Sequence, residues 1–538
     1  MYEVVLSQSL FAAQAQSPLR PMTIASLLEE QARHQGDTLA LREILGDGTM
    51  GRAWDYAALR RDSEALACAL AARHSRGARI AIFSDNRPEW VLLELASAMA
   101  GLTLVTVNPS FAARELRYVL EQSRSEAVYF APMVRGTALG PIVEAACADL
   151  AAVNHRIDLT DAAALEAGGR EGALRDTTPD DVVQIQYTSG TTGFPKGALL
   201  HQLGLIQNAR DTLGRWGVGA GERVLVMMPL FHTAGCGLSV LGGLCQGATL
   251  LLAPGFDPLL CAQVIERERV DYFLGVPTMI VALLDEAERT GRDLTSVKSI
   301  TSGGAMVAPE LVRKAREIFG APIQIVYGQT ESSPVISMTW SGDAEADLSG
   351  TIGQPLPHVD VAILDTRDGS ICPIGVQGEI CCRGYLVMTG YNDNPEATAA
   401  AIDSENWLHT GDLGVMDSRG YLKITGRVKE MIIRGGENLF PAEIENAMLE
   451  HDAVREVAVV GIPDEKWGEL VACFMRTGDE GRPCADELRA FIRERLSPQK
   501  TPAHWIWVDR WPLTGSGKIQ KFALRDAFLR GEHTPSVD

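Results

Sequence analysis

The residues with the clearest chemical use form one run, Tyr187-Thr188-Ser189-Gly190-Thr191-Thr192-Gly193-Phe194-Pro195-Lys196-Gly197. It follows the apolar stretch 182–186 and reads as a loop leaving a buried strand. Gly190, Gly193 and Gly197 let backbone N–H groups approach an anion closely, and the hydroxyls of Thr188, Ser189, Thr191 and Thr192 can donate to phosphate oxygens. Lys196 supplies positive charge. A Walker loop needs a Gly-Lys-Ser/Thr ending that sets a hydroxyl on magnesium, whereas Pro195 precedes this lysine and Gly197 follows it. A lone Gly-Thr-Thr-Gly reads equally as a surface loop; the whole run is the more specific signal and reads as a phosphate cradle.

Further runs carry complementary chemistry. Tyr327-Gly328-Gln329-Thr330-Glu331 stands where a strand ends, the usual position of ligands in open parallel sheets. A hard cation that bridges nucleotide phosphates takes one or two protein carboxylates, so Glu331 is a candidate magnesium ligand, with Thr330 on phosphate. Taken alone, the same residues read as a strand end with a tight turn. In Trp407-Leu408-His409-Thr410-Gly411-Asp412, the aspartate can accept two hydrogen bonds from a vicinal diol, and Arg427 could donate to the same ribose. In isolation Asp412 is equally a turn residue. Near the C-terminus, Pro512-Leu513-Thr514-Gly515-Ser516-Gly517-Lys518-Ile519 sets a lysine between small residues that let it reach into a cleft, where most lysines so placed are solvated surface.

The elements that position these groups are legible from periodicity. Apolar residues recur at helical spacing over 23–35 and 57–74, with further helices at 89–99 and 112–122, while 79–83, 102–107 and 127–130 read as strands. Such alternation indicates βαβ units and largely parallel sheets, and it continues through strands at 223–228, 248–252, 272–275, 299–302 and 324–327. After about residue 350, short runs at 359–363, 379–383 and 421–424 separated by Gly and Asp predict an antiparallel β region. From 431 a small α+β unit begins: Pro441 opens a helix over 442–450, 457–460 is a strand and 486–495 another helix. The expected fold is α/β: a large N-terminal domain of parallel α/β sheets plus a β subdomain (1–426), a hinge (427–430) and a small mobile α+β C-terminal domain (431–538).

Composition narrows the partners. At 538 residues the chain exceeds one core, and 46% hydrophobic with 22% charged residues is ordinary globular composition. A formal charge of −20 argues against a nucleic-acid partner. The ten cysteines are scattered, with no CxxC pair, and frame neither a zinc site nor a disulfide scaffold, which implies a reducing, cytoplasmic home. The start of the chain has Glu3 and no basic residue before Arg20, unlike a secretion signal. Residues 224–256 carry no formal charge, yet Pro229, Gly235, Gly237, Gly242, Gly243, Gln246, Gly247 and Pro254 interrupt them, so no integral membrane segment is expected and a strand, loop, helix and strand are.

In this order and spacing, the motifs resemble those of the adenylate-forming enzymes: acyl-CoA synthetases, firefly luciferase and the adenylation domains of nonribosomal peptide synthetases. The resemblance covers nearly the whole chain. It implies that Tyr327 stacks on adenine beside Gly328, that Gly303, Gly304 and Ala305 line the adenine and acyl pocket, and that Lys518 contacts the substrate carboxylate and α-phosphate during adenylation. Attack of one anion on another develops charge that such a cation stabilises; removing one comparable donor costs ~3–4 kcal/mol. The run Arg434-Gly435-Gly436-Glu437-Asn438-Leu439-Phe440-Pro441 otherwise reads as a turn opening a helix. By resemblance Gly435, Gly436 and Glu437 line the pantetheine tunnel when the small domain rotates about Lys429.

Amino-acid adenylation domains place an aspartate near Pro229-Leu230-Phe231-His232, and this chain does not. A lone histidine in an apolar run is usually a packed core residue; the resemblance makes His232 a gate to an acyl pocket. Small uncharged residues over 235–243 suit an apolar acyl group, and 108–122 with the surroundings of Phe231 looks most like medium-chain acyl-CoA synthetases. The expected enzyme is a ligase using ATP, Mg2+ and coenzyme A on a medium-chain, branched, alicyclic or aromatic acid, with a homodimer compatible with the resemblance. The alternatives are an acyl-AMP ligase that loads a carrier protein and a non-catalytic nucleotide-binding protein.

Overall fold

The computed structural model describes residues 1–15, 18–166, 174–188, 195–305, 307, 309–435, 437–477, 481–513 and 519–533. These divide into two compact units: one comprising 1–2, 11–361 and 382–408, the other 3–10, 362–381 and 409–538.

The first unit contains two large sheets. In the seven-stranded one, Val182–Thr188, Thr103–Val107, Arg79–Phe83, Ala127–Phe130 and His155–Asp158 run parallel, in that spatial order. Most of their Val, Ile and Phe side chains, among them Val183, Ile185, Val105, Val107, Ile82 and Phe83, are buried, as a sheet covered on both faces requires. The helices Ala113–Ser123 and Gly140–Cys147 pack Leu116, Val119, Leu120 and Val143 against them. One edge is antiparallel, formed by Lys196–His201 and then Gly390–Tyr391. The nine-stranded sheet has a parallel centre of Leu39–Ile44, Thr249–Leu252, Arg223–Val226, Tyr272–Leu274, Ser299–Gly303 and Ile323–Gly328. Antiparallel strands close both edges: Met50–Asp55 on one side, Val335–Met338 with Gln354–Pro355 on the other.

Local chemistry explains the helices between the strands. Ile24–Gln35 starts at Thr23, whose hydroxyl accepts the Ser26 N–H while the Ser26 hydroxyl accepts that of Thr23, and Ile24, Leu27 and Leu28 form its buried stripe. Pro258–Glu268 begins with Asp257 as cap and proline at the first turn, where its missing N–H costs nothing. The uncharged stretch after Val226 folds as a π-helix, Ala234–Leu241, continued by Gly242–Gln246 and a buried strand. The expected order of strand, loop, helix and strand is therefore present, with a wider helical turn at its centre. Among the described residues no helix is long and apolar enough to cross a membrane.

In the second unit Leu408–Met416 pairs antiparallel with Leu422–Arg427, giving the predicted change of texture. A further sheet is built on the long hairpin Val454–Asp464 and Gly468–Thr477, extended by Ile432–Arg434, Glu437–Leu439 and the parallel strand His504–Trp507. The helices Pro441–Leu449 and Ala485–Arg493 bury Ile444, Met448, Leu488 and Ile492 on one face of it, and Lys521–Leu529 places Leu524 with Ala458, Phe474 and Ile506 on the other.

Candidate active site

The flanks of the phosphate-cradle motif are two paired antiparallel strands. Val182–Thr188 pairs with Lys196–His201 so that Thr188 lies opposite Lys196 and Tyr187 opposite Gly197. Ser189, Gly190, Thr191, Thr192, Gly193 and Phe194 lie outside the described residues. The flanks show what the hairpin presents: the Thr188 hydroxyl points to the Lys196 carbonyl at 3.4 Å, and the Lys196 ammonium makes no ion pair among the described residues. Gly197 has a packing reason as well as the expected one, since a Cβ there would sit 2.7 Å from the Ile185 side chain and 3.3 Å from the Tyr187 ring.

Glu331 is delivered by a second device. Ile323–Gly328 ends at a glycine that no larger residue can replace in place, because a Cβ would meet the Pro334 carbonyl oxygen at 2.0 Å. The chain then makes a single turn, Thr330–Ser332, in which the Ser332 hydroxyl accepts the Gln329 N–H and lies 2.8 Å from the carbonyl oxygens of Gln329 and Pro334. Asn208 holds the next strand by accepting from the Val335 N–H (3.0 Å) and donating to the Val335 carbonyl (2.6 Å). The turn leaves Thr330 and Glu331 buried at 9% and 8% exposure. Tyr327 is buried one strand from Gly303, which lies opposite Val326; a Cβ on Gly303 would come within 2.4 Å of the Val326 carbonyl oxygen, and Gly304 takes a φ of +77° that suits glycine.

The hairpin and the turn meet at Tyr391, which sequence reasoning missed. Its hydroxyl donates to Glu331 Oε1 at 2.7 Å, and the Lys196 ammonium lies 5.0 Å from its ring centroid. Its backbone is fixed by pairing with Ala198, and its N–H donates to the Thr398 hydroxyl at 2.9 Å. Burial, and then the neighbouring Glu331 carboxylate, push the phenol far above its usual pKa, so it stays a neutral donor. Glu331 Oε2 has no hydrogen-bond partner among the described residues, and a hard carboxylate oxygen left open beside a phosphate-loop lysine fits magnesium held with a nucleotide.

His232 follows strand Arg223–Val226 in a loop pinned from the other sheet. Asn86 donates to the Met228 carbonyl (3.0 Å) and accepts the Leu230 N–H (2.9 Å), and the Thr106 hydroxyl donates to the Phe231 carbonyl (2.9 Å). Gly235, opening the π-helix, is required because a Cβ would overlap the Pro229 carbonyl oxygen at 2.2 Å. Behind that helix lies a buried polar chain that sequence reasoning also missed: Gln184 donates to Glu94 (2.7 Å), Gln186 donates to Gln184 (2.8 Å), and Gln186 contacts the Cys236 sulfur (3.2 Å). Glu94 is buried with no cation beside it; desolvation raises its pKa well above the carboxylate range. The signal was in plain sight, since two glutamines at alternate positions of an apolar strand must both face inward.

In the second unit, Asp412 lies opposite Arg427 across the Leu408–Met416 and Leu422–Arg427 hairpin, and Arg427 Nε is 2.7 Å from Asp412 Oδ1. The expected ribose donor is therefore paired with the expected ribose acceptor. Glu379 shapes the turn before it: one carboxylate oxygen accepts the Gly411 N–H at 2.8 Å and the other lies 2.8 Å from His409 Nδ1. Gly411 has a φ of +72°, and the Thr410 hydroxyl donates to the Ile380 carbonyl at 2.7 Å. Cys381 lies 3.5 Å from the same His409 nitrogen, making a trio of metal-ligating types, but both Glu379 oxygens already serve the turn.

Lys429 stands in the turn Val428–Glu430, whose Glu430 is bound by Lys521 at 2.7 Å; Lys521 also meets Glu445 at 2.8 Å. Gly435 takes a φ of +60° against the Trp467 ring and donates its N–H to the Trp467 carbonyl at 2.7 Å, and the backbone of Glu437 pairs with Arg434. Gly436 and Lys518 lie outside the described residues. The base of the Lys518 loop is closed by a bridge between Leu513 and Ile519 and by the Gln520 N–H on the Pro512 carbonyl at 2.8 Å.

Comparison with known proteins covers the same extent. The AMP-binding enzyme model matches residues 28–392, and the AMP-binding enzyme C-terminal domain matches 443–518. A Bacillus subtilis (strain 168) protein provisionally named an acyl-CoA synthetase, YngI, is 37% identical over 480 residues, spanning 84% of this chain and 87% of its own. The mitochondrial medium-chain acyl-CoA ligase ACSF2 of Mus musculus is 35% identical over 84% of this chain and 79% of its own. Among solved structures, ATP-bound MatB from Rhodopseudomonas palustris superposes with a TM-score of 0.84 at 27% identity, over 94% of this chain and 99% of that one. The o-succinylbenzoate CoA synthetase MenE of Bacillus subtilis, in complex with its acyl-adenylate intermediate, gives 0.80 at 30% identity, over 95% and 99%.

Proposed function

Because this chain belongs to the AMP-binding enzyme family, we propose that it is an ATP-dependent carboxylic acid:CoA ligase acting on an apolar acid of medium-chain, branched, alicyclic or aromatic type. The acid's carboxylate attacks the α-phosphorus of ATP to give acyl-adenylate and pyrophosphate; the coenzyme A thiol then attacks the acyl carbonyl and AMP leaves. No side-chain nucleophile is needed. The observation that carries the reading is the convergence on Tyr391 of the Lys196 ammonium and a Glu331 carboxylate whose second oxygen is unpartnered among the described residues.

The residue roles follow from that chemistry. Thr188 and Lys196, with the hydroxyls and N–H groups of 189–193, hold the phosphates, and Thr330 assists. Magnesium, when bound with ATP, neutralises phosphate charge, and Glu331 would hold it through Oε2. Tyr327, with Gly328 and Gly303, Gly304 and Ala305, receives the adenine; Asp412 and Arg427 receive the ribose. Lys518 stabilises charge developing on the α-phosphoryl group. His232 stands at the entrance to the acyl pocket, and small residues of the π-helix line it. Residues 427–430 act as a hinge for 431–538, so that Lys518 serves adenylation and Gly435, Gly436 and Glu437 serve thiolation. Free thiols at all ten cysteines suit a cytoplasmic protein.

The test is pyrophosphate exchange into ATP with a panel of carboxylic acids and magnesium, followed by AMP release on adding coenzyme A. Exchange should depend on apolar acids and not on amino acids, and AMP release should require coenzyme A. Absence of acid-dependent exchange overturns the reading, and release that demands a carrier protein reassigns the acceptor.

A further inference from the structure

Among the described residues, Tyr391 touches both Lys196 of the hairpin and Glu331 of the turn, and none of the motifs contains it. Its position is over-determined: the backbone is paired to Ala198 and tied to Thr398, and Asn392 next to it donates to the Gln122 carbonyl at 2.8 Å. The hydroxyl donates to Glu331 Oε1 at 2.7 Å, its partner among the described residues, and the ring carries the Lys196 ammonium 5.0 Å from its centroid. The Met388 N–H fixes the Glu331 backbone by donating to its carbonyl at 2.9 Å. With backbone and one oxygen both held, the carboxylate is restrained in a setting in which Oε2, unpartnered among the described residues, remains for a cation.

We propose that Tyr391 is a positioning residue for the adenylation step: its hydroxyl orients Glu331 so that one carboxylate oxygen is presented to the nucleotide-bound magnesium, and its ring parks the Lys196 ammonium until polyphosphate claims it. The inference rests on the reading of Glu331 and Lys196 given above. The physics favours each half. A hydrogen bond to a charged carboxylate in a buried setting is strong and directional. A cation over an aromatic face is held by only roughly two- to five-fold, weak enough for a triphosphate to displace it while keeping the ammonium from wandering to a carboxylate.

The decisive variant is Tyr391→Phe, which keeps the ring and removes only the oxygen. Two readouts separate positioning from mere packing. The magnesium concentration that half-saturates acid-dependent pyrophosphate exchange should rise about tenfold, with activity recovered at high magnesium. Binding of Mn2+·ATP to the free protein, followed by water-proton relaxation with no acid present, should weaken by a similar factor. Thiolysis of supplied acyl-adenylate should be unchanged. Tyr391→Leu should add a few-fold rise in the KM for ATP that Tyr391→Phe does not show, because only it removes the ring under Lys196. A Tyr391→Phe protein with unaltered magnesium requirement and unaltered Mn2+·ATP affinity overturns the proposal, whatever its melting temperature. Should the unmodified protein show no acid-dependent exchange, the ligase reading falls, and the manganese measurement still decides the role of Tyr391.

Discussion

The two regions that carry the functional residues secure them by different physical means. Around the phosphate hairpin, the groups are buried and held by hydrogen bonds with uncharged side chains: Tyr391 donating to Glu331, Asn208 bonding both backbone groups of Val335, and Asn86 donating to the Met228 carbonyl and accepting the Leu230 N–H. Around Asp412 and the 428–430 turn, they are held by ion pairs: Arg427 with Asp412, and Lys521 with Glu430 and Glu445. A neutral hydrogen bond inside a sheet keeps its geometry at any salt concentration, while a pair with an exposed arginine weakens as the Debye length shortens. The first region is thus insensitive to salt, whereas the Arg427–Asp412 pair of the second is not. That difference suits the proposed division between a larger body that holds phosphate and metal and a smaller one whose residues change role.

The largest effect should come from the second region. Lys518→Ala is expected to lower acid-dependent pyrophosphate exchange about a hundred- to a thousand-fold, the cost of one stabilising donor at a developing charge, while thiolysis of supplied acyl-adenylate stays near the unmodified rate. Equal loss of both half-reactions would erase the division of labour. Next, Gly328→Ala should damage the first region as a unit. Its Cβ would lie 2.0 Å from the Pro334 carbonyl oxygen and 3.0 Å from the Ile336 nitrogen, so backbone must move and Glu331 moves with it. A stability loss of roughly 2–4 kcal/mol is expected, read from denaturant unfolding, together with a raised magnesium requirement. An unshifted midpoint would show that the strand end tolerates slack.

Glu94 sharpens the contrast through pH. Desolvation raises its folded pKa well above the unfolded value of about 4.3, so below that value both states hold the proton and burial carries no titration penalty. As pH rises further, the unfolded chain ionises while the folded one retains its proton, and stability falls by about 1.4 kcal/mol per unit until the folded pKa is reached. Glu94→Gln keeps the oxygen that accepts from Gln184 and cannot ionise. It should match the unmodified protein near pH 4 and exceed it at higher pH, with the difference growing by about 1.4 kcal/mol per pH unit until the folded pKa is reached. A difference independent of pH would mean that Glu94 is ionised in the fold.

Much of this was legible in the sequence, and the rest was not for definable reasons. Parallel strands between helices announced themselves by periodicity, and glycine-rich motifs announced the hairpin, the Glu331 turn and the Asp412 turn because each needs particular residue types at fixed offsets. Tyr391 gave no signal, since its partner Glu331 is 60 residues away and only the edge pairing with Lys196–His201 brings it there. The sequence marks Gly197 as an anion-approach residue and, by resemblance, Gly328 as part of the adenine site; the contacts their Cβ atoms would make show that packing also demands them. The sequence offers Asp412 and Arg427 as ligands of the same ribose without showing that they pair, and register across the hairpin puts them opposite each other. Contacts that depend on register or on strand order are where local reading stops.

The smallest expected effect is the most diagnostic of how the second region works. Asp412 is 7% exposed at its side chain while Arg427 is 51% exposed, so the pair gains little in stability and is screened by salt. Arg427→Gln keeps a hydrogen-bond donor and removes the charge. With the ribose bound by both residues, the KM for ATP should rise about two- to five-fold at low ionic strength and the gap should narrow as salt is added, because screening has already weakened the pair in the unmodified protein. The melting temperature should move little. Unlike Tyr391→Phe, whose defect should be recovered by magnesium, this variant should be recovered only by more ATP, since the role proposed for Arg427 is to contact the ribose and that proposed for Glu331 is to hold the metal. A magnesium-dependent rescue of Arg427→Gln would show that the two regions are not secured independently.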